Sequence, residues 1–149
     1  MKVNVKVSIP KAKEEVWDKI TNIEDSVNVI SGIEKLEVLN KPESGFIGFK
    51  WRETRKMFGK EATEVMWITD CAEYDHYNVS AESHGSKYES VISVREKQGE
   101  TTLAMDFTAI PQTTSAKVMS LLMGWMFAGP TKKALQQDLE DIKMSLVSN

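Results

Sequence analysis

Glu53 and Arg55 are the residues of this 149-residue chain best placed to do chemistry. They follow Ile47, Phe49 and Trp51 at two-residue steps, so on an extended strand all five share one face. If that face is the inner one, two opposite charges enter an apolar space together. Charges placed there need partners. Three arrangements satisfy them: a salt bridge at the rim of a sheet, a pair that orients a carbonyl, hydroxyl or carboxylate of a ligand, or a Glu53 made basic by desolvation. Glu53 and Arg55 are thus the only candidates for catalysis as well as candidate ligand anchors. Glu64, on the following strand, faces Glu53 or Arg52 according to a register that the sequence does not fix. Tyr77 and Tyr88 each either offer a hydroxyl to a ligand or pack as aromatics at the edge of a core.

Other chemistries lack their residues. The two histidines, His76 and His84, fall at or near turns, and with Cys71 they form no metal-ligand spacing. No Gly-x-Ser-x-Gly elbow occurs, and Cys71 has no histidine in a diagnostic relation to it. Ser83-His84-Gly85-Ser86 reads as a turn. No glycine-rich segment has the order of a nucleotide-binding loop. Nineteen basic and 22 acidic side chains leave a net charge of -3, with no basic, aromatic-interleaved platform, so no nucleic-acid partner is expected. No metal and no cofactor are expected either.

The elements that must position these residues follow from periodicity. Val3, Val5, Val7 and Ile9 alternate in a half-buried first strand that Pro10 ends. Val16, Trp17, Ile20 and Ile23 follow at helical spacing, and a second short helix is expected over Ile23 to Ile30, stopped by a left-handed Gly32. Six strands then run from about Glu34 to Ile110. Turns separate them at Lys41–Gly45, Met57-Phe58-Gly59, Cys71–Asp75, His84-Gly85 and Lys97–Glu100. In the third of these strands Thr63, Val65 and Trp67 oppose Glu64, Met66 and Ile68; both faces carry apolar residues, so either can be the inner one. Short turns between successive strands indicate an antiparallel meander.

A helical run from about Thr114 to Leu146 closes the chain. As one rod it would be about 50 Å long, against about 38 Å for a compact domain of this size. Gly129-Pro130 is therefore expected to kink or break it. Before that point Met119, Leu122, Met123, Trp125, Met126 and Phe127 cover more than one side. Such a helix is core, or it lines a pocket on one side and packs on the other, or it presents a membrane-touching or dimer-forming surface. After it, Leu135, Leu139, Ile142 and Leu146 make an amphipathic stripe. A hydrophobic pocket bounded by Phe49, Trp51, Leu122, Trp125 and Met126 is expected, with Trp67 and Met119 as further candidate contacts.

Loose framework motifs tie these elements to a known family. They are Ile9-Pro10 before Val16-Trp17, Gly48-Phe49-Lys50-Trp51-Arg52-Glu53-Thr54-Arg55 leading to Phe58-Gly59-Lys60-Glu61, His84-Gly85-Ser86-Lys87-Tyr88, and Asp138-Leu139-Glu140-Asp141-Ile142-Lys143. With this element order, spanning nearly the whole chain, the sequence resembles the START-like (SRPBCC) superfamily, in its polyketide cyclase/dehydrase and lipid-transport branch. The resemblance implies an α+β helix-grip fold over residues 1–149: a seven-stranded antiparallel sheet wrapped around a long C-terminal helix, with two short helices and a central cavity. It also implies a partner, a small apolar molecule such as a lipid or polyketide-like compound, bound for transport or sequestration. A cyclase/dehydrase-type enzyme and a helper protein that binds another protein are the alternatives, so enzyme activity is left open. One cysteine excludes an internal disulfide and suits a reducing compartment. No apolar run approaches the roughly 20 residues of a membrane span. A cytoplasmic monomer or homodimer, without stable membrane insertion, is the expectation.

Overall fold

The computed structural model describes residues 1–57 and 59–148, with the side chains of Met57 and Trp125 outside the description. Seven strands form one antiparallel sheet: β1 (Lys2–Ile9), β2 (Ile33–Asn40), β3 (Lys50–Met57), β4 (Lys60–Ala72), β5 (His76–Ser83), β6 (Ser86–Lys97) and β7 (Glu100–Pro111). Their order is β1-β7-β6-β5-β4-β3-β2, a meander with β1 and β2 at the edges. The helices are α1 (Lys13–Thr21), α2 (Ser26–Val29) and α3 (Thr114–Val147). The sheet wraps around the helices, the long α3 included, in the helix-grip architecture.

Local chemistry explains most boundaries. β1 alternates strictly between exposed and buried residues. The turns at His84-Gly85 and Gln98-Gly99 have both residues at positive φ, 52° and 75°, then 52° and 80°. This is the two-residue hairpin geometry that matches strand twist, and it fixes the pairs Ser83–Ser86 and Lys97–Glu100. Val16, Trp17 and Ile20 bury one face of α1. Trp17 packs edge-on against Tyr77 of β5, with ring centroids 5.9 Å apart. The first N–H of α1 donates to Glu96 Oε1 at 2.7 Å, satisfying a donor that the helix itself cannot.

Several expectations are corrected. Ile23 to Ile30 is a 3₁₀ turn over Ile23–Asp25 followed by the single turn of α2. Gly32 is not left-handed; the positive-φ glycines lie elsewhere. It is small because a Cβ there would come within 3.3 Å of Arg55 Nη1. Ile47 precedes β3 and is 55% exposed, so it does not share the buried face of Phe49 and Trp51. Of the expected turn Met57-Phe58-Gly59, Phe58 lies outside the described residues. Gly59, at φ 79°, stands between β3 and β4.

The largest correction concerns α3. It runs unbroken for 34 residues with Pro130 inside it, about 51 Å of helix. Only part of it is in the core. Leu139 and Ile142 are buried, while Val118, Met119, Leu121 and Leu122 are exposed. The C-terminal part packs chiefly on β1, and Gln136 Nε2 donates to the Lys6 carbonyl at 3.1 Å. The N-terminal part begins on the β5–β6 hairpin. Gln112 N and Thr113 N both donate to the Gly85 carbonyl, at 2.8 and 3.2 Å. Thr113 then caps the helix by accepting from Ala116 N at 3.1 Å.

Candidate functional site

Register decides which side chains meet on the concave face. Leu36 pairs with Glu53, and Glu53 with Glu64. In the adjacent row Val38, Trp51, Met66, Ala81, Tyr88 and Ala109 lie side by side across six strands. The next row runs from Ile68 through Val79, Ser90 and Phe107 to Val3. Pleat parity puts Trp67 on the opposite, convex face. There the Lys50 ammonium lies 5.9 Å from its ring. Trp67 therefore does not face the interior, a point that β4 could not decide by composition because Met66, Trp67 and Ile68 are all apolar.

Glu53 and Arg55 do enter the interior, and they do so within a network. Arg55 Nε donates to Glu53 Oε2 at 2.6 Å. Its two terminal nitrogens engage Asp138 of α3, Nη1 to Oδ1 at 3.0 Å and Nη2 to Oδ2 at 2.8 Å. Trp51 Nε1 donates to Glu53 Oε1 at 3.3 Å. Glu53 and Asp138 are buried. Burial acts to lower the Arg55 pKa, but the charges and hydrogen bonds of Glu53 and Asp138 outweigh it and raise it. Burial also holds the Asp138 carboxyl above the ordinary aspartate range, against the pull of Arg55. Each donor nitrogen of the guanidinium has a protein acceptor. The geometry is that of an internal ion pair tying β3 to α3, and Asp138 is the member that sequence inspection misses. In the sequence it is only one letter of the terminal-helix motif.

A second polar group sits one strand further in. Burial pushes the Glu64 pKa up; the Ser83 hydroxyl and the charge of His84 draw it down, and Glu53 opposite raises it again. Glu64 Oε2 is shielded from solvent and has no hydrogen-bond partner among the described residues. The Tyr88 ring stacks on Phe107 with centroids 5.9 Å apart, and the Ser86 and Ser83 hydroxyls act to lower its pKa. Burial, then the nearby Glu64, raise the Tyr88 pKa, so at neutral pH it is a hydroxyl donor. Ser83, in the sequence only part of a turn, acts to lower the pKa of both expected residues.

The other candidates divide. Phe49 and Trp51 are buried, with ring centroids 5.9 Å apart. Tyr77 is buried, and its hydroxyl donates to the Ile20 carbonyl at 3.1 Å, so that hydroxyl is committed to α1. Leu122, Met119 and Met126 are 66%, 51% and 48% exposed. They do not close a pocket with Phe49 and Trp51. The side chain of Trp125 lies outside the described residues. In the middle of the concave face Met66, Val79, Tyr88, Ser90, Met105 and Phe107 are only half-buried, and the packing of α3 is concentrated on β1 and β7. The sheet thus keeps an accessible apolar strip that ends at Glu64 and Ser83.

Burial, Asp70 and Glu73 push the Cys71 thiol up, away from the thiolate form. His76 lies between Asp75 (Nδ1–Oδ2 2.6 Å) and Asp70 (Nε2–Oδ2 3.3 Å) at the far end of β5. No cluster of three or more His, Cys, Asp or Glu side chains placed to hold a metal ion occurs among the described residues.

Comparison with known proteins finds relatives only by shape. No protein-family model matches the chain, and no curated protein matches its sequence. Solved structures do match. TTHA0849 from Thermus thermophilus superposes with a TM-score of 0.83 at 13% identity, covering 99% of this chain and 98% of that one. A conserved protein from Geobacillus kaustophilus gives 0.74 at 17% identity over 99% and 96%. A START superfamily protein from Mycobacterium smegmatis gives 0.67 at 16% identity over 95% and 98%. At these identities the likeness is one of architecture and selects no branch. The chain has the START-like, helix-grip fold.

Proposed function

We propose that the chain binds a small apolar molecule carrying a hydrogen-bond donor, on the concave strip, with the donor at Glu64. One observation carries this reading. The half-buried strip of Met66, Val79, Met105 and Phe107 leads to a carboxylate oxygen that is shielded yet unpaired among the described residues. Leaving a buried acceptor unsatisfied costs about 1–3 kcal/mol, and a ligand hydroxyl or amine removes that cost. Apolar walls with a few convergent polar groups are the usual form of a small-molecule site. The fold supports the same reading, since its superfamily often takes small hydrophobic ligands. A hydroxylated lipid or polyketide-like compound fits both ends of the strip, and transport or sequestration needs no more than this.

Native mass spectrometry of the purified protein tests for a retained molecule. Titration with N-phenyl-naphthylamine, which has one N–H, tests the anchor. Glu64→Leu is expected to weaken that probe roughly tenfold and to leave its N-methyl analogue unaffected. Absence of both a retained molecule and saturable probe binding by folded protein would falsify the reading.

A second reading has one observation in its favour. The raised pKa of Glu64, close enough to Tyr88 to raise that hydroxyl's pKa in turn, is the pattern of a base beside a proton donor. A cyclase/dehydrase-type proton transfer would then centre on Glu64. Conversion of a retained or supplied ligand, lost in Glu64→Gln while binding persists, separates this enzyme from a carrier.

A further inference from the structure

The upstream half of α3 carries a feature that ligand binding in the strip does not use. Leu121 is 85% exposed, Leu122 66%, Met119 51%, Val118 49% and Met126 48%. Single exposed apolar residues are ordinary, but a contiguous group marks an interaction surface. Val118, Leu121, Leu122 and Met126 are spaced i, i+3, i+4 and i+8, which is one helix face. The same stripe continues through Gly129 to Lys132 and Lys133, and Lys117 stands just before it. No Asp or Glu occurs from 107 to 137, although the chain has 22 of them and a net charge of -3. Over residues 107–137 the chain is therefore apolar in the middle of the helix, basic at both ends and free of acidic residues, with Glu140 the acid that lines the same groove as Lys132 and Lys133 beyond it.

We propose that this face of α3 docks reversibly on an anionic lipid bilayer, lying in the headgroup region parallel to the surface. Charge decides between this occupant and a second copy of the chain. Two copies paired through this stripe in antiparallel fashion would bring Lys117 of one against Lys132 and Lys133 of the other. Paired in parallel, they would bring like lysines together. Neither arrangement supplies an acid. Anionic headgroups neutralise all three lysines while the acyl boundary takes the apolar side chains, as in interfacial amphipathic helices. No helix among the described residues is long and apolar enough to cross a membrane, so the helix lies on the bilayer. The proposal does not depend on what occupies the concave strip.

Cosedimentation of the full chain with vesicles tests it, comparing phosphatidylcholine alone with phosphatidylcholine containing about one third phosphatidylserine. Wild type is expected to bind the anionic vesicles at low salt and to be released by high salt. The double variant Leu121→Ser/Leu122→Ser and the double variant Lys132→Gln/Lys133→Gln are each expected to bind roughly tenfold more weakly. All four positions are exposed or nearly so, and circular dichroism checks that the fold is kept. Failure of folded wild type to bind anionic vesicles overturns the proposal, as does binding that neither variant weakens. A wild-type dimer that Leu121→Ser/Leu122→Ser dissociates, without vesicle binding, assigns the face to a second copy instead.

Discussion

Arg55 and Asp138 lie 83 residues apart and meet through a hydrogen bond, Nη1 to Oδ1 at 3.0 Å, and an ion-pair contact, Nη2 to Oδ2 at 2.8 Å, joining an inner strand to the final helix. The fork of a guanidinium matches a carboxylate in this way, and an ammonium cannot reproduce it. Removing one partner of such a pair strands the other. Asp138→Ala is expected to destabilise the fold by about 3–5 kcal/mol, and Arg55→Lys by roughly 1–3 kcal/mol, read from urea unfolding midpoints. Because Glu53 and Asp138 occupy the Arg55 nitrogens, Arg55→Lys is expected to leave probe affinity unchanged in the folded protein. A large loss of affinity at unchanged stability would show instead that Arg55 meets the ligand.

Gly85 holds the other end of α3. Its φ is 75°, and a Cβ there would come within 2.5 Å of Thr113 Oγ1. Gly85→Ala thus combines left-handed strain with a clash against the helix cap, and should cost about 1–3 kcal/mol. Hydrogen exchange should show protection lost first in the opening turn of α3. Thr113→Ala, which removes only the cap bond to Ala116, should cost about 1 kcal/mol.

Pro130 sits inside a continuous helix, where it cannot donate to the Met126 carbonyl. Pro130→Ala is expected to stabilise the protein by roughly 1–3 kcal/mol in thermal or urea unfolding. If α3 responds to occupancy of the strip, ligand-dependent protection from exchange should be confined to about Val118 to Ala128. Equal exchange with and without saturating ligand would mark a static rod.

His76 provides a pH test remote from the strip. Its hydrogen bonds to Asp75, then Asp70, raise its pKa above the ordinary 6.5. The folded state therefore holds the proton more tightly than the unfolded state. The stabilisation is complete below pH 6.5 and disappears as pH rises through the higher folded value. Thermal midpoints of wild type should decline across that window, and those of His76→Gln should not. An NMR titration of the His76 ring at or below 6.5 would contradict the assignment.

Much of this structure is legible locally. Alternation marks β1, turn dipeptides mark the two tight hairpins, and the amphipathic stripe from Leu135 marks the buried part of α3. What escapes is non-local. Asp138 has no signature until β3 is folded against it. The face of β4 depends on pairing Glu53 with Glu64, because its own residues are apolar on both sides. Gly32 invites a left-handed reading, yet its role is to leave room for Arg55. Pro130 predicts a kink or a break, and the 34-residue helix is not broken there. Trp51 and Leu122 read alike as apolar pocket residues, yet the sheet buries the first and α3 leaves the second exposed.

The seating of α3 at both ends has a mechanical consequence. A flap swings about one hinge, but a beam clamped twice can only bow, or slip from one support. The supports are unequal. At the carboxyl end the beam is held by a guanidinium fork and by Leu139 and Ile142 in the core. At the amino end two backbone bonds to Gly85 and a threonine cap hold it. Under load the amino end yields first, and α3 then lifts from the β5–β6 hairpin. Spin labels at Ser115 and Glu82 would record that motion as a lengthening distance, with a pair at Lys143 and Lys35 staying fixed.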